Sequence, residues 1–211
     1  MTMPARGEKT ERKATIERKD ALIAATLKCL SEEGHDGLSI RKISTEAGVS
    51  VGLINHHYAS KEDLVGQAYE HLTLSQLGII KAAVDAADNT ARAQMHAFIR
   101  ATVTVTIDPG VLRSWVVFWG MTRAGNSLQE IHSRTYADYR RLLESILGRL
   151  AVDHGNPLLD VRLAAIGLLA LLDGLWIVLS LNPETVTPEE AIRLADAWVD
   201  ALVLRGSAAT S

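Results

Sequence analysis

Between Ser39 and Lys61 the chain carries a set of side chains whose types suit the edge of a DNA duplex. Asn55 offers an amide that matches the N6/N7 pair of adenine, and Val51 can touch a thymine methyl. His56 and His57 can bond bases or phosphates, and Gly52 lets the backbone approach a groove without a Cβ. Arg41 can reach the DNA backbone or a groove edge. Lys61, together with the free N–H groups of the helix it opens, forms a phosphate clamp. Any one of these residues is more easily read as ordinary surface. Their order, inside a recognisable frame, is what points to DNA.

That frame is a helix-turn-helix. Ser39 caps a first helix whose Ile43 and Ala47 share a packing face, and Ala47 leaves room for a second helix to cross closely. Gly48 supplies the positive φ of the turn, and Val49 is expected to be buried beneath it. Ser50 caps the second helix, which presents Val51, Gly52, Asn55, His56 and His57. Ser60 and Asp63 are spaced as a capping box for the helix that follows.

Ile40-Arg41-Lys42-Ile43, Ala47-Gly48-Val49-Ser50 and Tyr58-Ala59-Ser60-Lys61-Glu62-Asp63-Leu64 resemble the signature of the tetracycline-repressor (TetR) family. The resemblance implies three N-terminal helices for DNA, a fourth as connector, and further helices for ligand binding and dimerisation. It also implies repression relieved by a small molecule. The family often has Tyr where Asn55 stands and Phe where Tyr58 stands, so a family phosphate contact through that tyrosine does not carry over. Tyr58 either substitutes for it or packs. Two later segments, Ser114 to Trp119 and Ala170 to Trp176, are similar to the choline-sensing repressors of glycine betaine synthesis, and the likeness spans most of residues 15–205.

A second set of chemistry-bearing residues lies in those segments. Trp115 and Trp119 are spaced i, i+4 with Phe118 beside them, and on a later helix Leu169, Asp173, Trp176 and Ser180 share a face. Three indoles and one carboxylate can enclose a quaternary ammonium, held by ring quadrupoles. The rival reading is a core filled by tryptophans, with Asp173 bonded to an indole N–H. The resemblance implies the first, with Trp115, Phe118, Trp119, Asp173 and Trp176 as ligand-binding residues. A small apolar effector is the alternative within the same regulator class. On another face of the same helix Ile166, Ala170, Gly174, Ile177 and Leu181 offer small residues four apart. With Val199 and Leu202 of the last helix they form half of a four-helix dimer seam.

Composition agrees with a soluble all-α protein. The chain has 211 residues, 47% hydrophobic and 22% charged, with a net charge of −3. Residues 1–61 carry ten Lys or Arg against eight Asp or Glu, and residues 62–211 twelve against seventeen, so the basic balance sits at the DNA-binding end. The lone Cys29 sits in an apolar helical pattern and reads as a small core residue. Leu163 to Leu181 approaches membrane-spanning length, but Asp173 at its middle favours a helix buried in protein.

Glycine and proline stops at Gly34, Gly48, Pro109-Gly110, Gly125-Asn126, Gly155-Asn156-Pro157 and Asn182-Pro183 delimit about nine helices. These are expected near 15–34, 39–47, 51–57, 61–87, 89–107, 109–124, 128–152, 158–181 and 188–205. The organisation expected is a flexible tail (1–14), a three-helix helix-turn-helix domain (15–61) and a helical sensing and dimerisation domain (62–211). No histidine or cysteine spacing suits a metal, and no phosphate loop or nucleophile elbow is present. A cytoplasmic homodimeric regulator that needs no metal or cofactor, performs no catalysis and has no membrane partner is the expectation. Its partners are double-stranded operator DNA and a small effector.

Overall fold

The computed structural model describes residues 6–105, 108–122, 127–182 and 184–204. The expected stops at Gly125-Asn126 and Pro183, the first residues of the tail, and the expected helix ends at 107, 124 and 205 lie outside them. The described residues form nine α-helices and no strand: α1 (Arg6–Gly37), α2 (Ile40–Ala47), α3 (Val51–His57), α4 (Lys61–Ala86), α5 (Ala91–Val105), α6 (Pro109–Met121), α7 (Ser127–Asp153), α8 (Val161–Leu181) and α9 (Pro188–Leu204).

The first helix departs from expectation at both ends. It begins at Arg6, so residues 6–14, read from composition as a flexible tail, are helical. The physical reason is propensity: Glu8, Lys9, Glu11, Arg12, Lys13 and Ala14 are all good helix formers, and polarity alone does not unwind a segment joined to a stable helix. At the other end Gly34 adopts φ 69° and ψ −173°, a kink after which the chain regains helical geometry as far as Gly37.

The chain divides into two compact units, residues 1–71 with 113–131, and residues 72–112 with 132–211. The division therefore does not fall at 61/62: the first unit keeps the opening turns of α4 and takes in most of α6. Within it, Leu22, Leu30, Ile43, Ile54, Leu64 and Tyr69 are buried, as is Cys29. Tyr69 on α4 packs against Trp115 and Phe118 of α6 at ring separations of 5.6 and 4.7 Å. Arg113 of α6 donates through Nε to the Ser31 carbonyl of α1 at 3.0 Å.

The second unit is built on a core drawn from α4, α5, α7, α8 and α9, including Ile80, Phe98, Ile99, Leu143, Leu168, Leu172 and Val199. Helices α8 and α9 pack closely at Gly167, where an added Cβ would stand 3.0 Å from the Trp198 indole. Helix α8 is long and apolar enough to cross a membrane, with a mean hydropathy of 2.2 over its most apolar window. Ala164, Ala165, Leu168, Leu169, Leu172, Leu175 and Trp176 are buried, which is the pattern of a core helix in protein.

Candidate DNA interface and effector site

The turn between α2 and α3 is fixed by hydrogen bonds that the side chains dictate. Ser39 Oγ accepts from Lys42 N–H at 3.3 Å, and Ser50 Oγ accepts from Leu53 N–H at 3.2 Å, so each helix starts on a serine cap. Gly48 sits in the left-handed region at φ 65°, its N–H directed to the Ser44 and Thr45 carbonyls. Ser44 adds a clamp that sequence reasoning missed: its hydroxyl donates to the Val49 carbonyl at 2.6 Å, and its carbonyl accepts from Val49 N–H at 3.0 Å. Val49 itself is half-buried rather than buried.

On this frame Arg41, Ser50, Val51, Gly52, Asn55 and His56 are exposed, while Ser39, His57 and Lys61 are half-buried. The His56 and His57 rings meet edge to face at 5.1 Å, which fixes their relative directions. Lys28 is paired with Glu46 at 2.7 Å and Lys42 with Glu33, both pairs tying α1 to α2. Arg41 makes no ion pair among the described residues, leaving it as the cation of α2 available to a phosphate.

Two expectations change here. Tyr58 is 3% exposed, so its ring fills the first unit's core and does not reach a phosphate. It follows Ile54 on the inner side of α3, and burial raises its phenol above the ordinary range. The clamp at the start of α4 also loses part of its expected machinery. Ser60 accepts the Asp63 and Leu64 N–H groups through Oγ and its carbonyl. Glu62 accepts its own N–H, which lowers its carboxyl. Free helix N–H groups are therefore fewer than the sequence suggested, and the Lys61 ammonium is the cation at this turn. The predicted capping box is also shifted by one residue: Asp63 Oδ2 accepts from Ala59 N–H at 3.0 Å.

The expected effector residues are split between the two units. Trp115, Phe118 and Trp119 belong to the first, and Asp173 and Trp176 to the second. Phe118 and Trp115 are buried against Tyr69, a packing partner that sequence spacing could not reveal, and Trp119 lies 6.1 Å from Trp115. In the second unit Asp173 is half-buried, with no hydrogen bond or ion pair among the described residues. Burial pushes its carboxyl up to about 6.

The aromatic groups that feel the Asp173 charge are ones the sequence reading passed over. Tyr136 and Tyr139, on one face of α7, both have phenols raised first by burial and further by Asp173. Tyr139 stacks on Phe98 at 5.1 Å and its hydroxyl pairs with Thr102 Oγ1 at 2.7 Å. Tyr136 stacks on His132 at 5.6 Å, and burial lowers the His132 imidazole. Their i, i+4, i+7 spacing with His132 was a legible signal, but nothing local linked it to Asp173.

The expected dimer surface is partly corrected. On α8, Ala170, Gly174, Ile177 and Leu181 are exposed and Ile166 is half-buried, forming with exposed Leu163 an apolar stripe. On α9, Val199 is fully buried in the core with Ala195 and Val203, and Leu202 packs partly against it. The exposed apolar positions of α9 are instead Leu194, Ala197, Ala201 and Leu204, at alternating spacings of three and four. The reason is that α9 is apolar on both flanks, and which flank faces the core depends on its packing against α5 and α8. A cavity of about 580 Å³ opens beside Leu175, Val186 and Leu194, with Glu190 and Arg193 at its edge.

Comparison with known proteins agrees with these features. Residues 91–204 match the family described as BetI-type transcriptional repressor, C-terminal, and residues 22–68 match bacterial regulatory proteins of the tetR family. The HTH-type transcriptional regulator BetI of Paraburkholderia phymatum is 28% identical over 90% of this chain and 95% of its own length. A protein of Pseudomonas aeruginosa PAO1, assigned to transcriptional regulation, has a solved structure that is 44% identical, with a TM-score of 0.84 over 90% of this chain and 91% of its own. The fold also matches FadR of Bacillus subtilis, solved in complex with stearoyl-CoA, at 19% identity and a TM-score of 0.71 over 87% of this chain and 97% of that one. With capped recognition helices at one end and a helical domain of this type at the other, the chain belongs to the TetR family of DNA-binding transcriptional regulators and carries a BetI-type C-terminal domain.

Proposed function

We propose that this regulator binds a palindromic operator as a cytoplasmic homodimer and alters its hold on DNA when a small quaternary ammonium such as choline binds the second unit. The DNA half rests on α3, whose exposed Val51, Gly52, Asn55 and His56 stand on serine-capped geometry, flanked by Arg41 and Lys61. The dimer rests on the apolar stripes of α8 and α9, which are costly to leave in water.

The observation that carries the effector reading is Asp173. A half-buried carboxylate with no partner among the described residues is stabilised by a cation beside it. Its charge reaches Tyr136 and Tyr139, and aromatic rings attract an onium ion, which accepts no hydrogen bonds. Cation–π contacts of about 2 kcal/mol each, offset by the cost of immobilising the ligand, place Kd in the micromolar-to-millimolar range. The effector must bind the DNA-competent and DNA-incompetent conformations unequally, or it shifts nothing.

Calorimetry and operator-binding assays with choline, its uncharged isostere 3,3-dimethylbutanol and a long-chain alcohol test the reading. Choline should bind, change operator affinity, and lose binding in Asp173→Asn. Equal or better binding of the neutral isostere would replace the cation site with an apolar one. Selection of genomic fragments on purified protein should enrich a palindrome; enrichment of none would overturn the DNA half.

A further inference from the structure

Helix α1 is broken at Gly34, where φ 69° and ψ −173° turn the next peptide out of the helical path. The donor that an unbroken helix would bring to the Ser31 carbonyl is the His35 N–H, on that turned peptide. A side chain from another helix takes its place: Arg113 of α6 donates through Nε to the Ser31 oxygen at 3.0 Å. With a charged donor, such a bond is stronger than one between neutral groups. Past the break the chain runs close over Glu33, since a Cβ added at Gly37 would stand 2.8 Å from Glu33 Cβ and 3.0 Å from its carboxylate Oε2. That same oxygen pairs with Lys42 Nζ of α2.

The segment from Ser31 to Gly37 is therefore held by α6 at its start and tied to α2 at its middle, all inside the first unit. Helix α2 in turn ends on Gly48 and carries Ser44, which together set the turn into α3. Arg113 itself is exposed, so its side chain fills no space in the core. We propose that Arg113 is a positioning residue for DNA reading. Its hydrogen bond to Ser31 fixes the broken end of α1, and through the Glu33–Lys42 pair it fixes the helix on which α3 is set. The second pair between α1 and α2, Lys28 with Glu46, lies before the break and does not depend on Arg113, so the effect of losing Arg113 is partial. The inference rests on α3 as the DNA-reading helix and adds to it a residue more than fifty positions beyond the helix-turn-helix.

The test titrates full-length protein against an operator selected on wild type and a scrambled duplex of the same length, at several salt concentrations. Arg113→Ala should lower operator affinity about fivefold, the worth of one hydrogen bond, and leave the scrambled duplex and the salt slope unchanged. Arg113→Met, which keeps the stem and loses the donor, should do the same. In Glu33→Gln the route is already cut, so adding Arg113→Ala should cost little more. In the DNA-free protein, amide exchange should rise through α2 in Arg113→Ala and Glu33→Gln alike, with α5 and α8 unchanged. A uniform loss on both duplexes, with the slope flattened by about one unit, would make Arg113 a phosphate contact and overturn the proposal. So would a fully additive double variant, wild-type behaviour of Arg113→Met, or unchanged exchange in α2. If wild type selects no operator, the operator reading falls and takes the DNA role of Arg113 with it. An operator bound equally well by wild type and Arg113→Ala overturns this inference alone.

Discussion

At the scale of single residues, position and charge separate the roles of the two candidate sites. Asn55 is exposed on α3, where the proposed role is to read a base, whereas the role proposed for half-buried Lys61 is to neutralise a phosphate. Asn55→Ala should cost about 1–3 kcal/mol on the specific operator and little on random DNA. Lys61→Ala should weaken both alike and flatten the slope of log affinity against log salt by about one unit. Titrating labelled duplexes at several salt concentrations distinguishes the two. For Asp173 the sign follows from its carboxyl being raised to about 6 from the ordinary 3.8. The neutral form suits the fold, so the stabilising contribution is complete below about pH 4 and lost as pH rises through about 6. Asp173→Asn should therefore stabilise the ligand-free protein at pH 7.5, by about 1–3 kcal/mol in denaturant melts, and make no difference at pH 4. A bound cation favours the ionised form. Choline affinity should thus fall about tenfold per pH unit below pH 6, while a neutral ligand would show no such loss.

The elements carry the DNA-binding geometry, and their weakest point is the turn. Gly48 holds φ 65°, and its N–H closes α2, while Ser44 fastens Val49 from both sides. A Cβ at Gly48 meets nothing within 4 Å, so the expected cost of Gly48→Ala is purely that of the left-handed backbone, about 1–2 kcal/mol. Denaturant melts should register that loss, and operator affinity should fall if the turn relaxes. Unchanged stability would mean that the turn tolerates another backbone conformation. Helix α6 also changes meaning at this scale. Its Trp115 and Phe118 are apolar at helical spacing, which serves a ligand cage or a core equally well. Burial against Tyr69 gives them a packing role beside the DNA-binding helices.

For the whole molecule, the apolar stripes on α8 and α9 are the surface that association would cover. Gly174 is the cleanest place to probe it, since it is exposed and a Cβ added there meets no atom within 4 Å inside the subunit. Gly174→Glu should leave the subunit folded, with unchanged circular dichroism, and shift sedimentation from dimer to monomer. Operator affinity should fall as the two half-sites are no longer bound together. A wild-type protein that sediments as a monomer at micromolar concentration would remove the dimer from the reading.

Most of the helical plan was legible in the sequence because its determinants are local. The serine caps, Gly48 and the stops at Gly155 and Asn182 act within a few residues of the helix ends they set, and the caps on α2, α3 and α4 follow from single side chains. The residues of the recognition helix were legible for the same reason, since a seven-residue helix with Ile54 inward leaves Asn55 and His56 outward. Tyr58, Val199, Trp115 and Phe118 were not, because an apolar side chain states that it will be buried but not against what. Only the tertiary packing decided that Tyr69 takes the α6 aromatics, that α9 turns Val199 inward and Leu194 outward, and that Tyr136 and Tyr139 share the surroundings of Asp173. Those choices depend on contacts between residues far apart in the chain, where no helical period or cap carries information.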